Sequence, residues 1–173
     1  MDPRRGLTAS QAEALQEYRG FFGYRRINGQ LREGDPDART TEDVRQMDEA
    51  MRSSPLSSDV TVYRGVGDGE VLFGGHFAGD MTGLEWSDRA FTSTTASEAS
   101  ATSYSQHGLG RTGSGPVVMS IRAARGTGAV QLSQMDEDGR GSELLLDRGL
   151  AFRVTADHGV VDGARRIDVE IVR

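Results

Sequence analysis

Apolar positions along this chain follow two different periods, and the change from one to the other divides the sequence. Thr8 and Gln11 have the three-residue spacing of a capping box, and Ala12, Leu15 and Tyr18 follow at steps of three, which predicts an amphipathic helix. Tyr24, Ile27 and Leu31 predict a second, shorter helical face. A polar turn from Glu33 to Arg39 then leads to Thr40 or Thr41 as the cap of a third helix, with Val44, Met47 and Met51 on one side. From Val60 the apolar residues fall instead into short runs bounded by glycine. These are Val60 to Tyr63, Val71 to Phe77, Ala90 to Thr92, Val117 to Ile121, Ala129 to Leu132, Glu143 to Leu146, Ala151 to Val154 and Ile167 to Val172, all read as strands. One more helix, capped near Ser97, is expected to carry Ala101 and Tyr104 inward. Helices first and strands later imply an α+β fold, not alternating βαβ units.

The 173 residues suit one domain spanning 1–173, with no internal repeat and no dividing linker. No apolar stretch approaches the roughly 18 residues of a membrane span, and Met1-Asp-Pro-Arg-Arg5 is followed by no apolar region, so neither membrane insertion nor an export signal is expected. The sequence has no cysteine, which excludes disulfides and thiolate metal sites. All 20 basic residues are arginine, a usage that a GC-rich genome explains. The net charge of −6 argues against strong non-specific attraction to phosphate backbones.

Several motifs fail on inspection. Gly65-Val-Gly-Asp-Gly69 follows a strand, but its third glycine is misplaced for a dinucleotide loop and strand-like residues stand where a helix must start. It reads as a turn. A Walker loop needs a lysine, and there is none. His76, His107 and His158 lack any paired spacing for a metal, so no metal site is expected. Trp86, in the polar stretch Glu85-Trp-Ser-Asp88, reads as a loop anchor.

Three patches at strands remain: Tyr63-Arg64-Gly65, Phe91-Thr-Ser-Thr-Thr95, and Gly141-Ser-Glu143 followed by Leu-Leu-Leu-Asp-Arg-Gly149. Singly, each is an ordinary strand-end charge, a Ser/Thr run or a surface Glu. Together, on a helical-then-β background, they resemble the arginine-serine-glutamate class of mono-ADP-ribosyltransferases, the family of bacterial exoenzyme and effector toxins. The likeness also takes in Ala14-Leu-Gln-Glu-Tyr18, Ile27-Asn-Gly-Gln-Leu-Arg32, Pro55 through Gly65 and Gly126-Thr-Gly-Ala129, so it spans nearly the whole chain.

The resemblance implies two packed, mostly antiparallel sheets forming an NAD cleft with helices on one side, and NAD as co-substrate without a metal. It implies that Arg64 pairs with NAD phosphate oxygens through its guanidinium fork. Ser93 would orient the carboxylate of Glu143, with Thr94 and Thr95 completing the hydroxyl pattern. Backbone groups of Gly65 would lie near the nicotinamide amide, and Glu143 would stabilise the oxocarbenium charge that develops on the ribose.

The segment Ser133 to Gly141, with Asp136, Glu137, Asp138, Arg140 and Gly141, takes the place of the family's substrate-recognition turn. Arginine-modifying members carry Glu two residues before the reacting Glu; here the residue is Gly141. The expected acceptor is therefore not arginine. A protein acceptor is favoured over RNA or DNA, although Arg122, Arg125, Arg140, Arg165 and Arg166 keep nucleic acid open. The alternatives are an NAD glycohydrolase, favoured by Gly141, and a non-enzymatic NAD-binding or structural module. The resemblance further implies secretion as part of a larger effector acting in a target-cell cytosol, with a secretion carrier and a cognate immunity protein as partners.

Overall fold

The computed structural model describes residues 6–20, 22–107, 115–133 and 142–172. Helix α1 (Ala9–Arg19) starts as its capping box requires: the Thr8 hydroxyl accepts from the Gln11 amide, and the Gln11 side chain accepts from the Thr8 amide. Helix α2 (Gly23–Glu33) ends at Gly34, whose φ of 81° is the left-handed conformation that glycine adopts without strain. Helix α3 (Ala38–Arg52) is capped by Asp37, which accepts from the Thr40 amide at 2.7 Å, and not by Thr40 or Thr41 as expected. Thr40 is fully buried inside the helix, where its hydroxyl accepts from Arg26 Nη1 at 2.7 Å.

Eight strands follow: β1 (Val60–Val66), β2 (Glu85–Ser87), β3 (Thr92–Thr95), β4 (Val117–Ala123), β5 (Ala129–Ser133), β6 (Glu143–Leu146), β7 (Ala151–Val161) and β8 (Ala164–Val172). The α+β class is as expected. The strands form one hydrogen-bonded sheet in the order β2-β7-β8-β4-β1-β3-β6-β5, rather than two separate sheets. Its two halves are joined by a single register pair, Tyr63 with Thr95. All pairings are antiparallel except β4 with β8.

Two clusters of buried side chains hold the sheet, and the second spans the seam, since Ala129 of β5 and Leu146 of β6 belong to it. Ala14, Leu15, Tyr18, Ile27, Leu31, Met47 and Met51 of the three helices close over Phe91, Val130, Leu132 and Leu145 of the short half. In the long half, Val62, Val117, Met119 and Ile121 pack with Phe73, Met81, Phe152, Val154, Ile167 and Val169. Burying such side chains supplies about 1.5–3 kcal/mol each, so apolar contacts hold the helices on the short half and tie the two halves together.

Two segments differ from the sequence reading. Val71 to Phe77 is not a strand: α4 (Gly69–Phe73) and a 3-10 turn (Gly74–Ala78) occupy it. The winding seats Phe73 edge-on against Trp86, with ring centroids 5.2 Å apart, and Trp86 in turn stacks on Phe152 at 5.4 Å. Trp86 thus anchors a short strand, β2, that its polar neighbours concealed. A helix does begin at Gly69, but β1 continues to the antiparallel β4, so no dinucleotide-binding βαβ unit exists here.

Helix α5 (Glu98–His107) is capped near Ser97 as expected, with Ser97 Oγ accepting from the Ser100 amide at 3.1 Å. It lies flat on β1 because residue 65 is glycine: a Cβ there would sit 2.0 Å from the Ala101 carbonyl oxygen. Ala101 and Ser105, four residues apart, are the ones that face the sheet. Tyr104, expected inward, is 54% exposed.

Candidate active site

The seam between the two halves opens into a cleft of about 740 Å³, lined by residues of α1, α2, β1, β3, α5 and β6. Clefts of this size suit a ligand larger than a single ring. All four tyrosines of the chain, Tyr18, Tyr24, Tyr63 and Tyr104, stand along its wall. The structure brings Arg64, Gly65, Ser93, Thr94, Thr95 and Glu143 together here from three strands far apart in sequence. Asp136, Glu137, Asp138, Arg140 and Gly141 lie outside the described residues.

Arg64 reaches across the seam, donating from Nη1 to the Ser93 carbonyl at 2.9 Å. Burial lowers its pKa from the usual arginine value, but a guanidinium starting so high stays a cation. A second hollow of about 600 Å³ lies beside the cleft, and Arg32 and Arg64 line both, so two guanidiniums mark the boundary between them. Arg32 is fixed by two bonds to Asp88, at 3.1 and 2.8 Å. Burial pushes the Asp88 carboxyl up, yet the bonds from Arg32 and from the Ala90 amide hold it below the usual value.

Glu143 begins β6 opposite Thr95, half-buried in the cleft. Burial raises its carboxyl above the ordinary glutamate value; a hydrogen bond with Ser93 and the charge of Arg19 pull the other way. Ser93 also shares a hydrogen bond with Tyr18, its Oγ 3.3 Å from the phenolic oxygen. Tyr18 is 2% exposed; burial raises its pKa, against the bonds with Ser93 and Asn28. Thr94 is turned to the frame of the site, its hydroxyl donating to the Leu144 carbonyl at 2.6 Å and so tying β3 to β6. The Thr95 hydroxyl accepts from the Ser97 amide at 3.1 Å and helps start α5.

The arrangement pairs a half-buried carboxylate, braced by a serine, with two fixed guanidiniums. Chemically, such a combination is suited to a dianionic diphosphate and to positive charge developing on an adjacent sugar. Motif reading missed the helical wall of the site: Tyr18, Arg19, Tyr24, Asn28 and Arg32, with Tyr104 from α5. Tyr18 and Asn28 sit on the same stripes as the core residues of α1 and α2 and are buried among them. The available signal was the amide of Asn28 on an apolar stripe with Tyr24, Ile27 and Leu31, a polar group that must find a partner inside.

Solved structures with this fold include the C3 exoenzyme of Clostridium limosum, which has 17% identity and a TM-score of 0.72, covering 98% of this chain and 88% of that one. Plx2a, an ADP-ribosyltransferase toxin from Paenibacillus larvae, is 17% identical with a TM-score of 0.74, over 99% and 90% of the two chains. Exoenzyme S from Pseudomonas aeruginosa, solved with human 14-3-3 protein beta and bound to carba-NAD, is 20% identical with a TM-score of 0.71, over 98% and 78%. No curated protein sequence matches this chain. Among the described residues no helix is long and apolar enough to cross a membrane. The sequence model of the ADP-ribosyltransferase exoenzyme family matches residues 2–172, virtually the whole chain; the chain belongs to that family of toxins and is an NAD-dependent ADP-ribosyltransferase domain.

Proposed function

We propose that the chain belongs to the arginine-serine-glutamate class, with Arg64, Ser93 and Glu143 as the named residues, and that it transfers ADP-ribose to a side chain other than arginine on a protein. The observation that carries this reading is the meeting of Arg64, Ser93 and Glu143 in one cleft, where Ser93 holds the Glu143 carboxyl down against its burial.

In this reading Arg64 pairs with the diphosphate of NAD, and Arg32, pinned by Asp88, adds a second cation beside it. The Gly65 backbone lines the pocket near the nicotinamide amide, and Thr94 and Thr95 shape the wall behind it. The Glu143 carboxylate accepts from a hydroxyl of the nicotinamide-bearing ribose. As the N-glycosidic bond breaks, nicotinamide leaves with the bonding electrons and the ribose becomes oxocarbenium-like, a charge that Glu143 stabilises. The bond needs no added acid, because the departing pyridinium becomes a neutral molecule. The carba-NAD bound to Exoenzyme S supports NAD as the occupant of this cleft.

The acceptor follows from Gly141. Arginine is a poor nucleophile because it stays protonated, and an enzyme that modifies it needs a second carboxylate to orient it and draw its proton. Gly141 has no side chain to do so, and Asp136, Glu137 and Asp138 are farther from Glu143 in sequence. A nucleic-acid acceptor is disfavoured by the net charge of −6 and by the engagement of Arg122, Arg165 and Arg166 with Asp59, Asp157 and Glu98. Delivery within a larger secreted effector, to the cytosol of a target cell, completes the proposal.

The second reading, an NAD glycohydrolase in which water accepts the ribose, draws on the same Gly141. Incubating the protein with labelled NAD and a cell lysate separates them. The proposal expects label on protein, at residues other than arginine. Label chiefly on arginine overturns the acceptor assignment, and free ADP-ribose alone gives the glycohydrolase.

A further inference from the structure

Hydrogen bonds join Asn28 to Tyr18 and Tyr18 to Ser93, Ser93 acts in turn on the Glu143 carboxylate in the same cleft, and donor counting gives each proton along this line a direction. The Phe91 amide donates to Asn28 Oδ1 at 3.2 Å, so the oxygen of this amide is on that side and its nitrogen on the other. Nδ2 then donates to Tyr18 Oη at 2.9 Å and to the Phe91 carbonyl at 3.3 Å. With that phenolic oxygen already accepting, its own proton is free to go to Ser93 Oγ, 3.3 Å away. Ser93 has one proton, and an ionised Glu143 can only accept. The serine therefore accepts from Tyr18 and donates to Glu143.

We propose that Tyr18 and Asn28 are positioning residues of the transferase: they polarise Ser93 so that its hydroxyl proton is committed to Glu143. The inference rests on the roles given above to Ser93 and Glu143. Burial makes the arrangement firm, since Tyr18 is 2% and Asn28 7% exposed and water has little access to substitute for either donor. The backbone of Phe91 is the fixed point from which the order propagates, two residues before the serine that it controls. Without the Tyr18 hydroxyl, Ser93 can rotate its proton elsewhere and Glu143 loses the bond that favours its charged form. Among the described residues, Arg19 and Tyr18 from α1 and Ser93 from β3 act on the Glu143 carboxylate, with Arg64 of β1 in the same cleft.

The test is a double-mutant cycle in the intact chain, reading nicotinamide release from NAD. Tyr18→Phe keeps the ring, which packs edge-on against Phe91 with centroids 6.1 Å apart, and leaves Asn28 Nδ2 its bond to the Phe91 carbonyl. The change should lower kcat roughly fivefold, the worth of about one hydrogen bond, with KM for NAD almost unchanged. Its acid limb should move to higher pH, because a hydrogen bond that favours the carboxylate has been lost. In the Ser93→Ala background the same substitution should do nothing further, because Tyr18 acts through that serine. An equal loss in both backgrounds, or no loss of kcat in the single variant, overturns the inference and leaves the assignment of Ser93 and Glu143 standing. If Ser93→Ala itself leaves the rate unchanged, both fall together.

Discussion

The two halves of the sheet bring different chemistry to the cleft. The short half, β3-β6-β5 under the three N-terminal helices, contributes the carboxylate of Glu143 and the hydroxyl of Ser93. The long half contributes the guanidinium of Arg64 from β1. Between them run one backbone register pair, Tyr63 with Thr95, the bond from Arg64 to the Ser93 carbonyl, and the packing of Ala129 and Leu146 of the short half into the apolar cluster of the long half. The groups that must be mutually rigid, a carboxylate and the hydroxyl that orients it, stand on two paired strands, β6 and β3. In the proposed reading the cation that grips substrate, Arg64, comes from the other half, with Arg32 of α2 beside it. Holding the reacting groups in one packed unit fixes their geometry whether or not substrate bridges the seam.

That division predicts that each half fails in its own way. The largest effect belongs to the short half: Glu143→Gln removes charge while keeping shape, and should lower kcat for nicotinamide release by ~10²-fold or more, since the carboxylate acts mainly in the transition state. A loss of only a few-fold would take the chemistry away from β6.

The long half should fail in binding. Arg64→Lys keeps the charge but cannot form two parallel bonds to phosphate oxygens, and should raise the dissociation constant of NAD by about tenfold, or about 1.4 kcal/mol. Calorimetric titration reads this directly, and equal affinity in both proteins would make Arg64 a spacer between the halves.

The smallest effect is a shift of pH dependence. Burial raises the Glu143 carboxyl and the reaction needs it ionised, so activity should be lost as pH falls through a value above that of an ordinary glutamate. A pH–rate profile whose acid limb lies at or below the ordinary glutamate value would mean that Glu143 is better solvated than its position on β6 indicates.

The same contrast explains what the sequence disclosed. Arg64, Ser93 and Glu143 were legible only together, because their three patches in this order resemble the arginine-serine-glutamate class, while singly each reads as an ordinary strand-end charge, a Ser/Thr run or a surface Glu. The helical wall was not, because Tyr18 and Asn28 fall on the stripes that also bury Leu15 and Ile27, and spacing alone does not distinguish a hydrogen-bonded core residue from a packing one. Thr8 and Gln11 announced α1 correctly because a capping box is local chemistry. Val71 to Phe77 misled because its apolar, aromatic residues suit strands, and what winds them into α4 is contact with Trp86, far along the chain. The backbone pairing between the halves rests on one pair of residues, too little to leave a pattern in either strand.

The claim that one half reacts while the other binds is tested most directly by the affinity of the Glu143→Gln protein for NAD. Calorimetric titration should give a dissociation constant within a few-fold of the unaltered chain, although turnover is gone. An affinity that collapses together with the rate would contradict the division, and would make Glu143 a binding residue like Arg64.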